Sequence, residues 1–215
     1  MNEVIKTASI VRDFLKTMKE FPEAKWEDCL SDGQIYSKSW LIDELEKLNL
    51  DLGMIFLYGG WYGTLARFMF NSNIKFSKMR SFDLDNSCHE IAETINRPFV
   101  TEGWIFKATT YDIFNIQYPL KFETLRRDGT SVELEESPNT IINTSCEHMY
   151  PIWFDKVPDD TLMILQSNNF EEIDDHIDWV ESVEALKLQY PLKKVLFEGD
   201  KELEKYTRYM LIGYK

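Results

Sequence analysis

Hydrophobic positions change period several times along the chain, and each change marks an element. Val4, Ile5, Ala8, Val11, Phe14, Leu15 and Met18 recur at three- and four-residue steps. That stripe predicts an amphipathic helix over residues 3–21, ended by Pro22. Ser31-Asp32-Gly33 predicts a turn, and residues 37–48 a second helix with Trp40, Leu41, Leu45 and Leu48 on one side. Residues 54–57 are an unbroken apolar run bounded by glycine, which suits a strand buried on both faces. Gly59, Gly60 and Gly63 follow it, and residues 64–70 read as a helix. A second strand is expected at 78–83, then a helix at 86–96 capped by Asp85 or Asn86 and broken by Arg97-Pro98. A third strand at 104–109 leads to Tyr111-Asp112.

The next stretch departs from this alternation. Residues 120–125 and 130–135 alternate in period two around Asp128-Gly129, a β-hairpin closed by Pro138. Strands are expected again at 140–143 and 161–166, then an acid-rich helix at 170–188. Residues 192–198 and 206–213, with a turn at Gly199-Asp200, predict a closing antiparallel pair. The order predicts a doubly wound α/β fold with a mostly parallel sheet and a terminal antiparallel strand. A helical segment, 1–52, would pack on a main unit, 53–215, that carries the hairpin 120–135 as an insertion.

Composition narrows the function classes. The 215 residues are 44% hydrophobic, enough for one substantial core. Acidic residues outnumber basic ones, 37 to 24, which counts against phosphate-backbone binding as the main activity. Lys75, Lys78 and Arg80 form a small basic patch, expected to be a solvated strand edge. No run of 18 apolar residues is present, and the N-terminal stretch lacks the apolar region of a secretory signal. Cys29, Cys88 and Cys146 have neither disulfide-framework nor zinc spacing, so a cytoplasmic setting and no metal centre are expected.

The candidate chemistry gathers at the strand ends. A strand that turns on glycines into a helix brings bare backbone N–H groups to the end of a parallel sheet, a place for a nucleotide. Asp83 follows that turn by about 20 residues, the spacing at which a carboxylate grips two ribose hydroxyls. Asp112 can accept from an adenine amino group while Ile113 and Leu84 sandwich the ring. Trp61 and Tyr62 either line the cofactor or pack under the turn. The run Asn143-Thr-Ser-Cys-Glu-His148 is unusually polar for the exit of a buried strand, and its side chains need partners or a ligand. There His148 can take a proton and Glu147 orient it, or both can simply begin a helix. Cys146 is expected to be buried and inert. Residues 166–169 hold substrate or cap the following helix. His89 and His176 are expected at the surface, and Arg126-Arg127 at the hairpin tip can reach an anion or merely be solvated.

With these positions in order, the sequence resembles the class I S-adenosylmethionine-dependent methyltransferases over residues 53–215. The resemblance implies a seven-stranded sheet with its last strand antiparallel beside the fifth. It implies that the turn at Tyr58, Gly59, Gly60 and Trp61 accommodates the methionine part of the cofactor. Asp83 would hold the ribose, and Asp112 would meet the adenine. Tyr58 stands where the family usually has an acid, and the hairpin 120–135 where it generally has a helix. Segments ahead of the glycine turn often close over the cofactor in that family, so Lys38 can pair with the methionine carboxylate. The implied activity is methyl transfer to a small molecule or protein side chain, with the methyl facing Asn143, Glu147 and His148. Aminocarboxypropyl transfer, a lyase releasing methylthioadenosine, and a non-catalytic binding protein remain open. Segment 3–21 would then be a lid, a core helix or a dimer helix.

Overall fold

The computed structural model describes residues 3–126 and 128–215; Arg127, half of the expected basic hairpin tip, lies outside the described residues. Its helices are α1 (Glu3–Glu20), α2 (Trp26–Cys29), α3 (Asp32–Leu48), α4 (Thr64–Met69), α5 (Cys88–Ile95), α6 (Arg97–Thr101) and α7 (Val183–Gln189). Its strands are β1 (Met54–Tyr58), β2 (Lys78–Asp83), β3 (Phe106–Thr110), β4 (Leu120–Leu125), β5 (Ser131–Glu136), β6 (Thr140–Asn143), β7 (Leu162–Asn168), β8 (Lys194–Glu202) and β9 (Thr207–Tyr214). Seven of them form one sheet in the order β3-β2-β1-β6-β7-β9-β8. All neighbours pair in parallel except that β9 runs antiparallel to both β7 and β8. The expected doubly wound sheet with a terminal antiparallel strand is therefore present.

Alternation along the strands sorts the core into two layers. Ile55 and Leu57 point to one face, where Leu41, Leu45, Leu65 and Met69 of α3 and α4 cover them. Phe56 and Tyr58 point to the other, against Phe82, Ile141 and Trp153. The β4–β5 hairpin forms its own two-stranded sheet and buries Leu120 and Phe122 on that second face. It thus does the covering that a helix does on the first face. Arg80 corrects the basic-patch expectation. It is buried, not solvated, and its guanidinium forks onto Glu136 of the hairpin, both nitrogens 2.6 Å from a carboxylate oxygen. Fork geometry of this kind is the strong form of the ion pair.

Several local expectations are also corrected. α3 begins at Asp32, with Ser31 extended ahead of it, so Ser31-Asp32-Gly33 starts a helix. β8 runs straight through Gly199, and the chain turns at Leu203–Tyr206. Gly199 serves close approach, since a Cβ there would lie 3.1 Å from Phe197 and 3.6 Å from Trp40. The helix expected over 170–188 forms only at Val183–Gln189. Ahead of it the backbone bonds back to the core: Val180 N donates to Asn168 O and Asp178 N to Glu147 O, both at 3.0 Å. Glu171, Glu172, Asp174 and Asp175 would also crowd like charges at helical spacing. α1 packs against α5, and Asp13 receives the Arg67 guanidinium at 2.6 Å. Phe14 is buried, whereas Val11 and Leu15 of the same stripe stay exposed. Among the described residues no helix is long and apolar enough to cross a membrane.

Candidate cofactor and acceptor site

Register brings the candidate segments to one edge of the sheet. Tyr58 pairs with Phe82 on one side and Asn143 on the other, so the chain leaves β1, β2 and β6 at one level. The turn after β1 is tight: Gly59, Trp61 and Gly63 all have positive φ, at 59°, 47° and 71°. Gly60 answers a different need, because a Cβ there would meet Ser81 Oγ at 1.9 Å. Only a residue without a side chain lets the turn lie this close to β2. The Trp61 N–H is anchored by Asp83 Oδ2 at 2.8 Å, while Asp83 Oδ1 accepts from Asp85 N at 3.0 Å. Burial pushes the Asp83 carboxyl above its ordinary range, and these N–H donors oppose that rise. The indole of Trp61 stacks on Tyr62 at 4.8 Å, so this aromatic pair packs under the turn as well as bordering the cavity.

Gly59, Gly60, Trp61 and Asp83 line one cavity of about 500 Å³, and Lys38 enters it from α3. Lys38 is buried, its ammonium donates to Gln34 Oε1, and among the described residues no carboxylate lies within ion-pair distance. Burial lowers its pKa to about 8, and the Arg208 charge adds to the depression. A second cavity of about 1020 Å³ lies alongside. Asp28, Gln34, His148, Ile173 and His176 border both.

Glu147 and Arg208 form the floor of the larger cavity. Their side chains are 3% and 4% exposed and 2.6 Å apart. Asn168 Nδ2 donates to the same Glu147 Oε1 at 2.6 Å. Asn143 is fully buried one step behind, where Oδ1 accepts from Ser145 N at 2.9 Å. It shapes the 144–149 turn and does not line either cavity.

Four expected contacts also lie outside both cavities. Tyr58 points to the opposite face of the sheet, bonded to the Tyr118 hydroxyl and packed edge-on against Trp153. Leu57 takes the cavity side instead, as period-two alternation requires. Asp112 caps the short turn Ile113–Asn115, accepting from Phe114 N at 2.9 Å and Asn115 Nδ2 at 2.8 Å. Ile113 is buried in the core, and Leu84 is 74% exposed. His176 corrects the surface expectation: it is half-buried and sits 4.6 Å from His148, ring centre to ring centre. All three cysteines are free and buried; burial and the Asp83 charge push Cys88, beside the smaller cavity, up to about 12.

No family model matches the chain, and no curated protein matches it in sequence. Solved structures do. N-methyltransferase NodS from Bradyrhizobium japonicum WM9, in complex with S-adenosyl-L-homocysteine, superposes with a TM-score of 0.62 at 8% identity, over 94% of this chain and 98% of that one. Magnesium protoporphyrin IX methyltransferase from Synechocystis PCC 6803, with bound SAH, gives 0.60 at 10% identity, over 89% and 88%. The small RNA methyltransferase HEN1 gives 0.58 at 14%, over 83% of this chain and 25% of that one. The chain has the class I methyltransferase fold. Identities this low speak to the fold alone, and the three named proteins differ in what they methylate. The acceptor therefore has to be argued from the site.

Proposed function

We propose that the protein is an S-adenosylmethionine-dependent methyltransferase acting on a small molecule or a protein side chain. The observation that carries this reading is the convergence of the bare turn 59–61, the Asp83 carboxylate and the buried Lys38 ammonium on one cavity. Each matches one part of the cofactor. Asp83 keeps a free lone pair on each oxygen beside its N–H partners and accepts from the ribose hydroxyls. Gly59 and Gly60 present bare backbone to the methionine part. Lys38, a buried cation lacking a carboxylate partner, pairs with the amino-acid carboxylate. Leu84, 74% exposed and outside both cavities, offers the adenine an apolar face.

When bound, S-adenosylmethionine supplies a methyl group already activated by its sulfonium. The chain's task is then to align an acceptor with that methyl and to keep water away. Glu147, on the floor of the larger cavity, and His148, bordering both cavities, are the acceptor-side groups, and Asn143 positions them through the 144–149 turn. The larger cavity suits a small molecule or a single inserted side chain, and the acidic chain disfavours a phosphate polymer.

Calorimetry with S-adenosylhomocysteine, methylthioadenosine and NAD tests the reading. S-adenosylhomocysteine is expected to bind tightest. Asp83→Asn, which loses the charge but keeps an acceptor, should weaken it by about 1.5–3 kcal/mol, roughly tenfold to a hundredfold. No binding of S-adenosylhomocysteine, or tighter binding of NAD, would refute it. Analysis of turnover products separates methyl transfer, which leaves S-adenosylhomocysteine, from chemistry that leaves methylthioadenosine.

A further inference from the structure

The larger cavity has a second chemical character. One carboxylate oxygen of Glu147 and one ring nitrogen each of His148 and His176 all lie within 4.8 Å of one another. The orientation of each group is fixed from behind. His148 Nδ1 lies 3.0 Å from Asp175 O, and His176 Nδ1 is bonded to Phe170 O. A carbonyl only accepts, so the proton of each neutral imidazole sits on Nδ1 and the Nε2 lone pair is free. Glu147 shows the same division of labour. Its Oε1 is held by Arg208 and Asn168, while its Oε2 is buried without a hydrogen-bond partner. An unpaired carboxylate oxygen in a side chain 3% exposed costs free energy unless something meets it. Backing of ligands by carbonyls and hydrogen-bond donors is what metal sites use to aim imidazoles and carboxylates.

We propose that Glu147, His148 and His176 bind one divalent transition-metal ion, with coordination positions left open toward the larger cavity. Two imidazoles and one carboxylate suit zinc, iron(II), cobalt(II) or manganese(II) better than calcium or magnesium, which favour all-oxygen sets. Bond lengths of about 2.1 Å put neighbouring ligand atoms about 3–3.5 Å apart, so closure asks the rings to move inward by about an ångström. His148 is exposed and His176 half-buried on the irregular 169–182 stretch, so each ring can shift inward together with the carbonyl that holds it. The open positions would take an oxygen donor of the acceptor, a hydroxyl or carboxylate, and hold it beside the cofactor cavity. That last assignment rests on the transferase reading; metal binding by itself does not.

The test uses the full chain stripped with a chelator and titrated with cobalt(II), zinc(II) and manganese(II). Calorimetry and cobalt d–d absorption are the readouts. One ion per chain is expected. His148→Ala and His176→Ala should each weaken binding by tenfold or more and alter the cobalt spectrum, with thermal melts near wild type because neither ring is in the core. His89→Ala should leave binding unchanged. Asp83→Asn should still take up metal while losing affinity for S-adenosylhomocysteine, so failure of the metal site and failure of the cofactor reading are distinguishable. Absence of saturable uptake at millimolar metal would overturn the proposal. So would uptake that survives the His148→Ala/His176→Ala double variant.

Discussion

Replacing Lys38 by methionine separates stability from binding at this site. Lys38 ionises at about 8 in the folded chain against an ordinary value of 10.5, chiefly because it is buried. At about 1.4 kcal/mol per tenfold, that gap corresponds to a penalty of roughly 3 kcal/mol for holding the charged form folded. Because the folded value lies below the unfolded one, the unfolded chain retains the extra proton between pH 8 and 10.5. Wild-type stability should therefore rise with pH across that window, and the penalty is fully present below pH 8. Lys38→Met removes the charge and keeps most of the buried stem. Allowing for the lost bond to Gln34, a gain of about 1–3 kcal/mol at pH 7 is expected, each worth about 2–4 °C in a chain of this size. Binding should move the other way. A ligand carboxylate beside Lys38 draws its pKa back up, so wild-type affinity for S-adenosylhomocysteine should fall as pH rises above 8. Lys38→Met should bind at least tenfold more weakly at pH 7 and lack that part of the pH profile. The difference between the two profiles removes the titration of the ligand's own amine. Thermal melts and calorimetry from pH 6.5 to about 9.5 supply both readouts. A methionine variant that is less stable at pH 7, or that binds as tightly as wild type with the same pH profile, would refute the reasoning.

Two further substitutions probe the frame of the site. Gly60→Ala drives a methyl into Ser81 Oγ and should cost about 1–3 kcal/mol in thermal or denaturant unfolding; adding Ser81→Ala should recover part of the loss, and full stability of Gly60→Ala alone would contradict the close approach. Glu136→Gln leaves the buried Arg80 charge without its partner and should cost about 3–5 kcal/mol, read by denaturant unfolding. Affinity for S-adenosylhomocysteine at low temperature should be unchanged in that variant, because the hairpin lines neither cavity beside the turn.

What could be read from the sequence was what rests on short-range pattern. Runs of alternating or continuous apolar residues placed all nine strands, and the glycines after residue 58 with the acid at 83 marked the cavity that the fold then forms. Pairing between distant residues left no such trace. Arg80 resembled a surface cation because nothing near it in sequence announces Glu136, 56 positions away. Arg208 sits in an apolar strand, and only the fold sets it against Glu147. The 169–182 stretch has helical composition in its apolar spacing, yet its backbone bonds go to Asn168 and Glu147 instead. That long-range bonding brings His176 to His148, and the two rings meet only in three dimensions. Trp61 hid one more feature: it adopts a left-handed conformation that a sequence reader reserves for glycine.

Charge around the cavity proposed for the cofactor bears on what it can hold and release. Asp28, Asp83, Asp85 and Asp175 line it against Lys25 and Lys38. With one lysine committed to a ligand carboxylate, the remaining field is negative and favours a sulfonium over a neutral thioether. S-adenosylmethionine should thus gain over S-adenosylhomocysteine as ionic strength falls, since the outlying carboxylates act across water and are screened beyond about 8 Å at physiological salt. Under the proposed function the spent cofactor, having lost its charge, would be held less firmly, which would help turnover. The same acids constrain the acceptor side. Glu147 is already neutralised by Arg208, so an ion held by Glu147 and two neutral imidazoles carries nearly its full charge into the wall. Asp28 there, and Asp175 on the cofactor side, offset part of it, and an acceptor that brings an anionic oxygen offsets more. With the proposed ion in place a neutral amine would offset none of that charge, so the proposal predicts transfer to oxygen over transfer to nitrogen.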